Sequence, residues 1–200
     1  MFSEISKFSA ALTACVLAPS LAFAHTGVGH TVGFVNGFTH PVSGLDHILA
    51  MVLVGVVAWQ LGGRALWLVP TTFISVMAVG GALGVMGILL PFVEAGIAFS
   101  VIILGAVVAL GIRAPVAIAA GVVGLFAIFH GHAHGSEMPA VVGGVAYAAG
   151  FMLATAALHI AGIGLGLLVG KVSEQQGAIV IRSAGSIAAL AGVCLLTGLI

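Results

Sequence analysis

The chain has 200 residues, 62% of them hydrophobic and 5% charged, with five basic side chains against five acidic ones, and a mean hydropathy of +1.34. A soluble domain carries roughly 25% charged residues, so this composition excludes a water-dispersed protein and its solvent is lipid. The charge balance leaves no basic patch for nucleic acid, and two cysteines, Cys15 and Cys194, make no disulfide framework.

Residues 1–24 read as a cleaved signal peptide. Lys7 and the amino terminus precede an apolar stretch that ends in Ala22-Phe23-Ala24, the small-residue pattern a signal peptidase reads. "LTAC" loosely resembles a lipoprotein cleavage site, and an uncleaved anchor is the other alternative. With cleavage after Ala24, the mature chain, residues 25–200, begins at His25 on the outer face of a membrane. His30 is read as loop.

A spanning helix needs about 20 mostly apolar residues. Six such stretches follow, approximately 42–62, 66–90, 93–112, 114–132, 139–169 and 177–199. The chain is therefore expected to be an all-α integral membrane protein, a bundle of about six transmembrane helices. Arg64, Arg113, Lys171 and Arg182 all fall at turns on one side, which the positive-inside rule makes cytoplasmic. Trp59 and Trp67 flank Arg64 as interfacial aromatics do. His25, His30, His40 and His47, and then His130, His132 and His134, come out on the opposite side. His159 is left inside the fifth span.

The first polar cluster is "HPVSGLDH", His40 to His47. Pro41 suits the first turn of a helix. Asp46 lies in the apolar phase and should face the interior beside a partner or a cation. On a regular helix His40 and His47 stand about 10.5 Å apart along the axis, too far to share an ion unless the backbone bends at Gly44. The second cluster is "FHGHAHGSE", residues 129–137. His130 and His134, four apart, project from one helix face, and Glu137 continues it another turn on. His132 points away and is expected to be solvated. Imidazole with carboxylate suits a borderline divalent first-row ion such as nickel, cobalt or zinc.

Each remaining polar residue has a plainer reading. His159 is expected to hydrogen-bond between helices, and Glu94, after Pro91, to be an interfacial carboxylate. His25, as a mature N-terminus, would offer its amine and ring together. Gly80 and Gly84, and Gly162, Gly166 and Gly170, repeat at the four-residue spacing that lets membrane helices approach closely. Clusters in the first and fourth spans hint at two inverted three-helix halves with a site at their interface.

The paired motifs, "HPVSGLDH" and then "FHGHAHGSE", resemble the signatures of the HupE/UreJ family of nickel and cobalt permeases. The matching positions are His40, Pro41, Gly44, Asp46 and His47, then Phe129, His130, Gly131, His134, Gly135 and Glu137. The resemblance implies a multi-pass bacterial inner-membrane protein with a periplasmic mature N-terminus. It would take up Ni2+ or Co2+ as substrate, with no permanently bound cofactor, often to supply hydrogenase or urease.

The metal site expected from residues and resemblance together is His40, Asp46, His47, His130, His134 and Glu137, with His25 as a further candidate. Competing readings are a membrane metalloenzyme with Glu137 as general base, a haem carrier with axial histidines and a metal sensor. Against catalysis, "HEXXH" is absent and no serine or cysteine nucleophile stands beside a histidine–acid pair. No "GxxxxGK[ST]" nucleotide loop occurs either, so the expectation is a secondary permease and not an enzyme.

Overall fold

The computed structural model describes residues 30–138, 143–171 and 174–200. The expected signal segment, His25 and the first residues of the expected fifth span lie outside the described residues. The elements in chain order are α1 (His30–Thr39), a 3-10 turn (His40–Val42), α2 (Leu45–Leu61), α3 (Ala65–Val85), α4 (Val93–Leu110), α5 (Val116–Ser136), α6 (Gly144–Gly170) and α7 (Glu174–Leu196), with no strand among the described residues. Five helices, α3 to α7, are long and apolar enough to cross a membrane. Gly33–Val42 and Leu45–Leu61, counted as one span bent by 79°, make the sixth. The chain is thus an all-helical, multi-pass membrane protein.

The bend follows from its residues. Pro41 has no N–H to continue α1's ladder. Ser43 then occupies the carbonyl of His40 with both its backbone N–H, at 3.1 Å, and its hydroxyl, at 2.6 Å. Gly44 is extended (φ −101°, ψ 127°) and caps α2. The segment containing His30, expected as loop, is helical instead. A Cβ on Gly37 of α1 would strike the carbonyl of Tyr147 in α6, so close packing against α6 overrides the poor helix propensity of a glycine-containing segment.

α2 touches every other membrane-spanning helix, and Ala50, Met51 and Val54 on it have no exposed surface. The most extensive pairings between spanning helices are α3–α5, α4–α7 and α2–α6. Each joins one helix of the first three to one of the last three, as two interlocked halves would. Small residues set these distances. A Cβ on Gly131 would meet the carbonyl of Met77 in α3, and one on Gly84 would meet the carbonyl of His132 in α5. Gly131 therefore serves close contact, with no break in α5. All four basic residues named above lie at or near one end of the bundle, and the two histidine motifs lie at the other.

Candidate metal centre

The site is built from the first turn of α2, the last two turns of α5 and the 3-10 turn. At α2's start, the carboxylate oxygen Oδ1 of Asp46 accepts two hydrogen bonds, each 2.8 Å, from the backbone N–H of His47 and from its ring Nδ1–H. A carboxylate at this position also complements the helix N-terminus. The donated proton fixes the tautomer: Nδ1 carries hydrogen, and the lone pair is on Nε2. That nitrogen is buried and has no partner among the described residues.

His130 is fixed in the same manner from the other side. The hydroxyl of Ser100 on α4 donates to the carbonyl of Ile97 at 2.6 Å, so its lone pair accepts from His130 Nε2–H at 2.9 Å. The lone pair of His130 is therefore on Nδ1, also buried and unpartnered. Neither ring nitrogen of His134 has a partner among the described residues. Its ring centroid lies 4.3 Å from that of His47 and 4.7 Å from that of His40, while His47 and His130 are 4.8 Å apart.

The bend at Ser43 and Gly44 is what admits His40. A straight helix would separate it from His47 by two turns; here both rings flank His134. Glu137, at the C-cap of α5, brings Oε2 to 3.4 Å from His40 Nε2. One ligand atom each from His40, His134 and Glu137 fall within 4.8 Å of one another. Ligand atoms around a first-row divalent ion stand about 2.0–2.2 Å from it, so modest side-chain rotation would close this trio on one ion. Exposure falls along the cluster. Glu137 is 57% exposed and His40 37% by side chain, against 4% for His134 and 0% for His130. A cavity of about 510 Å³, lined by His134, Tyr147, Phe151 and Met77 among others, adjoins it between α3, α5 and α6.

Five of the expected ligand residues, His40, His47, His130, His134 and Glu137, thus come together, and Asp46 joins them through its bonds to His47. Two expectations fail. His132 turns away from the cluster as its position demands, but it is 7% exposed. Its Nε2–H donates to the carbonyl of Ile88, in the connection between α3 and α4, at 2.7 Å, while its Nδ1 is buried without a partner among the described residues. Among the described residues His159 makes no hydrogen bond to another helix: both its nitrogens are unpartnered. Glu94 is exposed in the first turn of α4, outside the cluster. Sequence reasoning missed Ser100; its one signal was a lone hydroxyl in the apolar run "IAFSVIILG".

Comparison with known proteins points to one family. The family model described as "HupE / UreJ protein" matches residues 13–195. "Protein HupE" of Rhizobium leguminosarum bv. viciae is 51% identical over 196 residues, covering 98% of this chain and 100% of that relative. No solved structure matches the chain.

Proposed function

The chain belongs to the HupE/UreJ family of metal permeases, and on that premise we propose that it carries nickel or cobalt across the bacterial inner membrane, with the histidine end as the entry site. The observation that carries this reading is the convergence of four imidazoles and Glu137, from two motifs far apart in sequence, at one end of the bundle. Clustering Arg64, Arg113, Lys171 and Arg182 at the other end supports a periplasmic histidine end.

Ligand chemistry supports the ion class. Imidazole nitrogen and carboxylate oxygen suit borderline divalent first-row metals. An arriving ion meets half-exposed His40 and exposed Glu137 first, then the lone pairs of His134, His47 Nε2 and His130 Nδ1. Asp46 acts through His47: a carboxylate that holds the far nitrogen of a metal-binding histidine orients the ring and raises its basicity. The ion is substrate, and on the cytoplasmic side it would supply hydrogenase or urease maturation.

The test is uptake of radioactive nickel and of cobalt into cells expressing wild type, Asp46→Asn or His130→Ala at matched membrane levels. Asp46→Asn should lower uptake by about 10–100-fold, the range for a residue that orients a metal-binding histidine, and His130→Ala by at least as much. Normal uptake in both variants would remove this site from transport. No uptake by the wild type would remove the permease reading for this chain.

A further inference from the structure

An ion held beside His130 is still near the entry side. His130 lies six residues before the end of α5 at Ser136, about 9 Å along the axis, in a hydrocarbon layer about 30 Å thick. Something must receive the ion deeper in the bundle. His159 lies on α6, about 22 Å along that helix from Gly144.

We infer that His159 is a second, interior station for the transported cation, with Thr155 and Met77 beside it. The inference rests on the permease reading above and extends it to the path beyond the entry site.

Several observations meet at this residue. His159 is 1% exposed with both ring nitrogens unpartnered, a state it shares with His134 alone among the buried imidazoles of the described residues. Every imidazole has hydrogen-bonding capacity to satisfy, and a buried one left without a partner calls for a specific reason. Packing does not supply it, since an apolar side chain of similar size would fill the space without desolvating two nitrogens. Nor does helix adhesion: α2 and α6 are held together at this level by Gly55, where a Cβ would collide with the carbonyl of His159 itself.

The station also lies in line with the entry cluster. Ring centroids run from His40 to His134, to His47 and to His130 at 4.7, 4.3 and 4.8 Å. Phe73 on α3 then stands 5.6 Å from His130 and 5.1 Å from His159, edge-on to it. One turn from His159 on the same face of α6, the hydroxyl of Thr155 points at the sulfur of Met77, 3.8 Å away. Thr155 is fully buried and Met77 is 1% exposed. Met77 also lines the cavity that reaches His134. Nitrogen, oxygen and sulfur donors are thus gathered in an apolar interior.

This set is thinner than the four protein ligands of a structural metal site. That suits transit, because conduction needs sites that bind well enough to enter and weakly enough to leave. Transfer would be ligand exchange alone: a lone pair of His159 replaces one from the entry cluster, with no change of oxidation state.

The experiment compares wild type, His159→Leu and His159→Cys. Nickel binding is measured on the purified full chain in detergent, and initial uptake of radioactive nickel in cells. Wild type should bind a second, weaker equivalent of nickel that His159→Leu lacks, with affinity at the entry site unchanged. His159→Leu should lower uptake by about tenfold or more, and the ligating His159→Cys should recover a large part of it. Retention of the second equivalent by His159→Leu would overturn the inference. So would uptake within about twofold of wild type, or loss of uptake with the binding count intact, which would make His159 a proton carrier. Loss of entry-site binding in His159→Leu would also overturn it, by showing a supporting role. Should the wild type bind nickel but transport none, the permease reading falls, and the binding count still decides whether His159 holds an ion.

Discussion

At one end of the bundle, Arg182 Nε and Nη2 donate to the carbonyls of Ala109 and Leu110 at 3.1 and 2.9 Å, and Gln60 Nε2 donates to the carbonyl of Ile112 at 2.7 Å. The carbonyls of Ala109 and Leu110 are acceptors that α4's C-terminus leaves over, and side chains from α7 and α2 satisfy them and the carbonyl of Ile112 just beyond. At the other end, His47, His130 and His134 are buried, and each retains a nitrogen without a partner among the described residues. An unsatisfied buried polar group costs about 1–3 kcal/mol. His132 Nδ1, away from the cluster, is buried without a partner among the described residues as well, so what sets the histidine end apart is that the free nitrogens of several rings converge there.

The contrast breaks most readily at His134, the imidazole that touches both His40 and His47. His134→Ala should reduce nickel uptake by more than ~100-fold, the upper end for a residue that only orients a ligand, and abolish entry-site binding, while the purified protein keeps its wild-type helical circular dichroism. Uptake near wild type would mean that the free nitrogens are not the point of entry.

Acid sharpens the same contrast. Metal binding uses neutral imidazole, and protons compete for that lone pair. Lowering external pH from about 7.5 to about 5.5 should therefore lower initial uptake, with the loss growing as pH falls. A flat profile would exclude histidine ligation as the limiting step.

The smallest effect belongs to the arginine end. Arg182→Gln removes two hydrogen bonds to exposed backbone carbonyls and should lower stability by about 1 kcal/mol, seen as a modest drop in the thermal midpoint in detergent. Uptake at matched membrane levels should stay within about twofold of wild type. A large transport defect would show that this end also handles the ion.

Much of this was legible in the residues. Hydrocarbon forces a spanning helix to be long and apolar, so the later spans stand out with helix ends within a few residues of those observed. The same solvent makes each polar residue conspicuous, so the pairing of "HPVSGLDH" with "FHGHAHGSE" was visible too. His132 and His159 were misread because burial and partnership depend on neighbouring helices. The partner of His132 comes from the connection after α3, and no periodicity in α6 tells that His159 faces Phe73. Ser100 looked like any small residue in a span, since only the α4–α5 contact brings it to His130.

The sequence by itself determined the solvent, the spans, the end of the bundle that carries the imidazoles and the family, because each depends on residue type and spacing along one chain. Tertiary structure alone decided that the first span bends by 79° between Val42 and Leu45, so that His40 joins His47 around His134. It also decided which nitrogen of each ring is free and how deep the line of rings extends. Those outcomes depend on backbone–backbone approaches at glycines such as Gly55, Gly84 and Gly131, where a single methyl group would shift one helix against another.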